Sequence, residues 1–274
     1  MMRTELLLAA AGGLVAIGYP TFESGWVTHA PRVAAQTQDG EFRWTGRIAN
    51  GKTLEIRGVN GEIRVEAASG AEAEVLARKS GRRSDPASVE IAVVPHDGGV
   101  TICAIYPAVK GRENECLPGG GHNNTRDNDV KVEWTVRLPD GVRLGAHTVN
   151  GDVSVRDAGA EVRASTVNGD VNVSTRGVAE ASTVNGSIWA SLGRADWTGT
   201  MSFHTVNGGI TIEVPDGLGA MIEAKTVNGS IETDFPITVQ GRFGSRTLKG
   251  TIGAGGRDLE LATVNGSIKL RKAS

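Results

Sequence analysis

The 274-residue chain has few aromatic residues and little net charge, and each shortage excludes a class of protein. The formal net charge is −2, so the chain lacks the basic footprint of a nucleic-acid-binding protein. Aromatic residues make up only 4% of the sequence. A core must therefore be built from small and β-branched side chains, chiefly Ala, Val and Ile, which suit strands.

A long hydrophobic run is also missing. The run from Leu6 to Tyr19 is shorter than the roughly 20 residues that a membrane-spanning helix needs. Arg3 precedes it and the small-residue segment Val33–Ala35 follows it, an order typical of a signal peptide over residues 1–35. We therefore expect an exported protein that is periplasmic, on the cell surface or secreted. An uncleaved N-terminal membrane tether is the alternative.

Only two cysteines occur, Cys103 and Cys116. In an exported protein they can remain oxidised, and a bridge across a loop of this length is worth roughly 3 kcal/mol. The alternative, a metal pair, has only His122 nearby and does not have a zinc-site spacing. The spacing and the expected compartment favour a structural disulfide.

One tetrapeptide dominates the second half of the chain. T-V-N-G occurs six times, a degraded copy T-L-K-G starts at Thr247, and an outlying G-V-N-G starts at Gly58. The copies recur about every 20 residues without a helical pattern, which indicates a β-solenoid of stacked coils. Stacked corners predict a ladder of side-chain amides. Its members are Asn150, Asn168, Asn185, Asn207, Asn228 and Asn265.

The orientation of each corner follows from the period of two. Asn-Gly is a strong hairpin signal, but a hairpin here would mix apolar and polar side chains on each face. Counting straight through places Val167, Gly169 and Val171 inward and Thr166 and Asn168 outward. We therefore expect a bend within a strand, with the valines buried and the threonines forming an outer ladder.

The first half of the chain is less regular but also β-rich. Strand-like runs separated by Gly, Pro and charged residues predict a longer-stranded excursion, from Gly70 to Pro139, that caps the N-terminal end of the solenoid. The basic end "GSIKLRKAS" predicts a last strand that blunts the other edge. The expected organisation is a signal peptide over 1–35, an N-terminal β region with the first coil and the disulfide loop over 36–140, and the T-V-N-G solenoid over 141–274.

Several segments together resemble a known family. The repeated T-V-N-G, the entry "GKTLEIRGVNGEIRVEA" and the cysteine segment "VTICAIYP" with "RDNDVKVEWTVRLPDGVRL" look like the bacterial putative-adhesin domain family, a domain of unknown function related to the auto-transporter adhesin head. The resemblance covers most of Glu41 to Leu270. It implies an exported β-solenoid with no established enzymatic activity or cofactor, and it supplies no catalytic residues.

Candidate chemical sites are sparse. Asp152 and Asp170 follow successive corners, and retaining glycosidases hold two carboxyls roughly 5–5.5 Å apart; a solvated polar face is the other interpretation. The segment "HNNTRDND" over 122–129 groups oxygen ligands but lacks the glycine and terminal Glu of an EF-hand, so a polar turn and a calcium site both remain open. Trp189 and Trp197 are possible surface contacts for a sugar or partner, or they pack under their coil.

These observations favour a non-enzymatic, monomeric, exported β-solenoid. Its surface would contact a cell-envelope, polysaccharide or protein partner, with no cofactor, no metal and no nucleic acid. Two other classes remain open. One is a β-helical enzyme that acts on polysaccharide through Asp152 and Asp170, and the other is a structural or envelope-stress-sensing component.

Overall fold

Strands form almost all of the regular structure. In the computed structural model, the described residues are 36–38, 40–109, 113–239 and 246–273. They hold 24 strands and one 3-10 turn, Pro86–Ser88. The signal peptide predicted over residues 1–35 lies outside the described residues. Within the described ranges, no helix has the length and apolar character needed to cross a membrane.

The strands fall into two groups. The N-terminal group comprises β1 Gln36–Gln38, β2 Glu41–Gly46, β3 Thr53–Arg57, β4 Ile63–Ala67, β5 Ala73–Ser80, β6 Glu90–His96, β7 Gly99–Ile105, β8 Glu115–Leu117, β9 Gly120–His122 and β10 Lys131–Leu138. The repeat group comprises β11 Arg143–His147, β12 Val153–Ala158, β13 Val162–Ser165, β14 Val171–Thr175, β15 Ala179–Ser182, β16 Ile188–Leu192, β17 Thr200–His204, β18 Ile210–Val214, β19 Ala220–Lys225, β20 Ile231–Thr233, β21 Ile237–Val239, β22 Thr247–Ile252, β23 Asp258–Ala262 and β24 Ile268–Lys272.

Two eleven-stranded sheets enclose the core, and β8 with β9 forms a separate hairpin. The front sheet has the order β1-β2-β5-β10-β4-β12-β14-β16-β18-β24-β20. The back sheet has the order β21-β22-β19-β23-β17-β15-β13-β11-β3-β7-β6. Each T-V-N-G joins a back strand to a front strand, so every coil adds one parallel strand to each sheet. The fold is all-β, a β-solenoid, and both sheets run across residue 140 without a break.

The core of the regular coils is small and aliphatic because coils must stack at the strand spacing of about 4.8 Å. Val153, Val171 and Ile188 are register partners on neighbouring front strands and are essentially fully buried. The back sheet contributes smaller side chains such as Ala164 and Ala181. Large aromatics are buried mainly where the repeat is irregular, as at Trp134 and Phe203.

Antiparallel strands close both sheets at the N-terminal end of the stack and the back sheet alone at the other end, where the front sheet ends on the parallel strand β20. At the N-terminal end, β10 pairs parallel with β4 and antiparallel with the long β5, and β7 pairs antiparallel with β6. At the other end, β22 pairs antiparallel with β19 and β21. The degraded copy at Thr247 is therefore an extended strand and not a corner, which corrects the prediction. Lys249 stands where a corner would need Asn, so the amide ladder cannot continue through it.

The last coil does not lie at the end of the stack. Strands β23 and β24 are inserted between the β17–β18 coil and the β19–β20 coil. The basic segment Ile268–Lys272 is therefore an interior strand with a partner on each side, so the prediction that it blunts an edge is wrong. The spatial order of the coils consequently differs from their order in the chain.

Candidate binding site

Each corner threonine is buried and bonded to the neighbouring coil. Thr148, Thr166 and Thr183 are only 5–6% exposed. Their hydroxyls donate to the carbonyl of the corner glycine one coil away, as from Thr166 Oγ1 to Gly151 O at 2.8 Å. The backbone carbonyl of the corner, which points away from the sheet ladders, is thereby satisfied.

The predicted orientation of Thr and Val is therefore wrong. Alternation runs inward through Val162, Ala164 and Thr166, but the next buried position is Val171. Thr166 and Val171 are five residues apart, an odd number that strict alternation does not allow. The chain turns a corner between the two sheets there and does not continue as one bent strand. Val167, which lies in this corner, is 37% exposed.

The corner glycine is required by close approach. Gly169 has φ of 156°, and a Cβ built on it would overlap the carbonyl oxygen of Gly151. A Cβ on Gly186 would overlap the carbonyl of Gly169 in the same way. No side chain fits where coils stack this closely.

The asparagines form a continuous amide ladder along the corners. In each step, Nδ2 donates to Oδ1 of the preceding corner at 2.8 Å, as from Asn168 to Asn150. Asn60 of the outlying G-V-N-G begins the ladder. Inserting the last coil changes its order to Asn60, Asn150, Asn168, Asn185, Asn207, Asn265 and Asn228.

Six exposed valines lie beside this ladder. They are Val149, Val167, Val184, Val206, Val264 and Val227, each 37–54% exposed. We call these valines, together with the neighbouring ladder asparagines, the corner ridge. It presents methyl groups and amides that repeat at about the strand spacing of 4.8 Å.

The carboxylates of Asp152 and Asp170 each accept a backbone hydrogen bond from the neighbouring corner. The carboxylate of Asp152 accepts the backbone N–H of Asp170 at 2.8 Å, and Asp170 accepts that of Ser187 at 2.7 Å. Ser187 Oγ continues the pattern by accepting the N–H of Gly209 at 3.2 Å. Both carboxylates are exposed, and each serves as an acceptor for the next corner.

Trp189 and Trp197, the two predicted surface contacts, differ in how far they are buried. Trp197 is only 7% exposed, and its Nε1 donates to the carbonyl of Asp258 at 3.0 Å, so the prediction that it is a surface contact is wrong. Trp189 is half-buried on the outer face of the front sheet, in register between Asn172 and Thr211.

Several side chains of the polar loop over 122–129 form hydrogen bonds with other parts of the protein. Asp129 accepts the N–H groups of Ser84 and Arg83, and these bonds lower the pKa of its carboxyl to about 2, led by that of Ser84. Asn123 donates to the carbonyl of Ala104 at 2.6 Å. Among the described residues, no group of three or more His, Cys, Asp or Glu side chains is arranged to hold a metal.

A second surface feature, which the sequence patterns did not indicate, is a groove of about 560 Å³ on the outer face of the back sheet. At its base lies Glu55, which is 7% exposed. The Glu55 carboxylate accepts hydrogen bonds from Arg57 Nη1 at 2.7 Å, Thr101 Oγ1 at 2.9 Å and the Gly119 N–H at 2.9 Å. Gly119 belongs to the β8–β9 turn, which the Cys103–Cys116 disulfide ties to the back sheet. We call this feature the Glu55 groove.

Two groups in the groove have displaced pKa values. Burial would raise the pKa of Glu55, but the bonds from Gly119, Arg57 and Thr101 lower it below its ordinary value. Burial lowers the pKa of His147, and Arg57 lowers it further, against the opposing effect of Glu55. His147 Nδ1 lies 2.7 Å from Ser165 Oγ, and Nε2 lies 3.8 Å from Glu55 Oε1. At neutral pH the groove therefore holds an ionised Glu55 and a neutral His147.

Neither the groove nor the exposed valines could be identified from sequence periodicity. Glu55 is an outward residue of β3 that becomes buried because the hairpin covers it. The cysteine pair was the available signal, since a bridge from β7 had to bring residues near 116 onto the back sheet.

The chain belongs to the Toastrack DUF4097 family, whose model matches residues 28–271. No protein of curated function shows significant similarity to it. It is similar to a solved "putative cell adhesion protein" from Clostridium sporogenes ATCC 15579, with 12% identity, a TM-score of 0.45 and coverage of 88% of this chain and 100% of that one. It is also similar to a "putative adhesin" from Bacteroides fragilis NCTC 9343, with 9% identity, a TM-score of 0.28 and coverage of 86% and 98%.

Proposed function

We propose that this Toastrack-family protein is an exported, non-enzymatic binding protein of the adhesin type, which holds a polysaccharide of the cell envelope along its corner ridge. The observation that carries the proposal is the row of six exposed valines beside the amide ladder. The ridge is a rigid surface, because every corner is hydrogen-bonded to the next through Thr, Asn and backbone groups.

The composition of the corner supports a binding role for the valines. Thr, Asn and Gly each make a contact that the stack requires, whereas the exposed Val makes no hydrogen bond through its side chain. The outward position after the glycine varies between Asp152, Ser187 and Gly209. Valine occupies its own outward position in all six T-V-N-G copies. Aligned exposed apolar side chains commonly mark interaction sites.

A polysaccharide suits this surface for two reasons. Side-chain amides can exchange hydrogen bonds with sugar hydroxyls, while the methyl groups pack against the apolar faces of sugar rings. A repeating polymer can also engage several corners at once, so weak single contacts add up through multivalency.

The disulfide and the N-terminal sequence support an extracytoplasmic compartment. Disulfides persist in oxidising compartments outside the cytoplasm, and Cys103 and Cys116 form one. With a signal peptide over 1–35, the protein would act as a monomer in the periplasm, on the cell surface or as a secreted protein.

Cosedimentation with protein-free bacterial cell-wall polysaccharide tests the ridge. The triple variant Val167→Lys/Val184→Lys/Val206→Lys should bind at least about tenfold more weakly, a loss of about 1.4 kcal/mol. The matched control Ser154→Lys/Asn172→Lys/Thr211→Lys adds the same charge on the outer face of the front sheet and should bind like the wild type.

Equal binding of the polysaccharide by both triple variants would contradict binding along the corner ridge. The same incubations test for enzymatic activity, since released reducing ends that disappear in Asp152→Asn/Asp170→Asn would instead support the polysaccharide-cleaving alternative.

A further inference from the structure

The Glu55 groove is lined by more positive than negative groups. Its guanidinium groups belong to Arg57, Arg143 and Arg163, against the carboxylates of Glu55 and Glu161. His147 is neutral at pH 7 because burial and Arg57 lower its pKa. The lining residues therefore carry one more positive than negative group, and Glu180, which pairs with Arg163 at 3.4 Å, supplies a further carboxylate next to them.

Glu55 orients the groove and is not free to bind. Both of its oxygens accept hydrogen bonds from the protein, one from Arg57 and the other from Thr101 and Gly119. Arg57 uses only Nη1 in this interaction, and among the described residues its other guanidinium nitrogens have no protein partner. A buried carboxylate thus holds Arg57 in place while leaving N–H donors available to a ligand.

The register of three strands places Glu55, Gly145 and Arg163 side by side in the groove. Gly145 on β11 pairs with Glu55 on one side and with Arg163 on the other. Gly145 itself is buried, because Glu55 Cγ and His147 Nε2 lie only 3.2 and 3.4 Å from the point where a Cβ of residue 145 would stand. His147, the next outward residue of β11, thus covers Gly145 together with Glu55, and all of these residues line the groove with Arg163.

In one of its two neutral tautomers, His147 offers a donor at the same place. When Nδ1 accepts from the Ser165 hydroxyl, Nε2 carries the ring hydrogen. The 3.8 Å from Nε2 to Glu55 Oε1 is too long for a hydrogen bond, so this N–H remains available.

We propose that the Glu55 groove is an oxyanion-binding site, in which Arg57, His147 and Arg163 hold a carboxylate or phosphate group. Guanidinium groups bind both groups through paired N–H donors. Glu161 pairs with Arg163 at 2.9 Å and with Arg143 at 3.7 Å, and Glu180 pairs with Arg163 at 3.4 Å. A ligand can replace these ion pairs, since exposed ion pairs contribute little energy. The site is separate from the corner ridge and does not depend on it.

Titration of the full, oxidised chain with sodium glucuronate, inorganic phosphate and neutral glucose, at matched ionic strength, tests the site. The readout is the NMR shift of the His147 ring protons. Glucuronate, phosphate or both should give a saturable shift, and glucose should give none. A response to only one anion identifies the carboxylate or the phosphate as the source.

A pair of double variants provides the control. Arg143→Gln/Arg163→Gln should raise the Kd at least about tenfold, while Arg64→Gln/Arg156→Gln, on the outer face of the front sheet, should leave it unchanged. Urea unfolding of both variants verifies that each is folded. The proposal would be overturned if neither anion gave a saturable shift, or if the two double variants weakened anion binding equally.

Discussion

The corner threonine and the corner valine have similar shapes but opposite roles. Thr166 is 5% exposed and donates to the Gly151 carbonyl, whereas Val167 is 37% exposed and makes no such bond. A side-chain hydroxyl is therefore needed at the threonine position of the corner and is not needed at the valine position.

This difference predicts opposite outcomes for two near-isosteric exchanges. Thr166→Val leaves the Gly151 carbonyl without its side-chain donor and should lower the free energy of unfolding by about 1–3 kcal/mol. Val167→Thr, at an exposed position, should change it by less than about 0.5 kcal/mol. Urea unfolding measures both. A larger loss of unfolding free energy for Val167→Thr than for Thr166→Val would instead support the strand that alternates without a break and buries the valine.

The amide ladder could be predicted at residue level because identical residues recur at one point of every coil, and stacking brings such residues together. The orientation of Thr166 and Val167 could not, because the period of two assumes a continuous strand and the corner shifts its phase. The Glu55 groove could not be predicted either. Residues 55, 119, 147 and 163 meet only through coil stacking and a disulfide, and no local pattern links them.

At the scale of elements, the β8–β9 hairpin acts as a covalently attached cover. Cys103 lies on β7 in register with Arg57, so the disulfide fixes the hairpin beside the Glu55 groove. The hairpin returns one hydrogen bond to the groove, from Gly119 to Glu55. The loop between the cysteines spans 13 positions, so the bridge should restrict the unfolded chain substantially.

Removing the bridge should therefore affect both stability and the groove. Cys103→Ala/Cys116→Ala should lower the free energy of unfolding by about 2–4 kcal/mol. Because the hairpin is then held only by noncovalent contacts, the Gly119 amide should exchange with solvent faster. Hydrogen exchange should show the change at Gly119 and at neighbouring hairpin amides, while β13 and β14 keep their protection.

Unchanged Gly119 exchange in the double variant would show that the hairpin is held by its other contacts. Wild-type protein treated with a reducing agent provides the control, because it should behave like the double variant without any substitution.

At the scale of the whole molecule, the inserted last coil shows what the repeat does and does not encode. Every corner carries the same Thr, Asn and Gly contacts, so any stacking order of the coils satisfies the ladder. The order is fixed by unique contacts instead. Trp197 Nε1 donates to the Asp258 carbonyl, and Arg257 Nε donates to the Trp197 carbonyl at 3.1 Å. Arg271 pairs with Asp234 at 2.8 Å on the other side of the coil.

The stacking order can be tested with two identical substitutions. Asn265 donates to Asn207 and accepts from Asn228, so Asn265→Ala removes two ladder hydrogen bonds. Asn228 lies at the end of the ladder and makes one, so Asn228→Ala removes only that bond. At about 0.5–1.5 kcal/mol for each bond, Asn265→Ala should lower the free energy of unfolding roughly twice as much as Asn228→Ala. If the coils stacked in chain order, Asn228 would be the internal residue and the ranking would reverse. Urea unfolding with an unchanged denaturant dependence measures the two losses, and a larger loss for Asn228→Ala would place the last coil at the end of the stack.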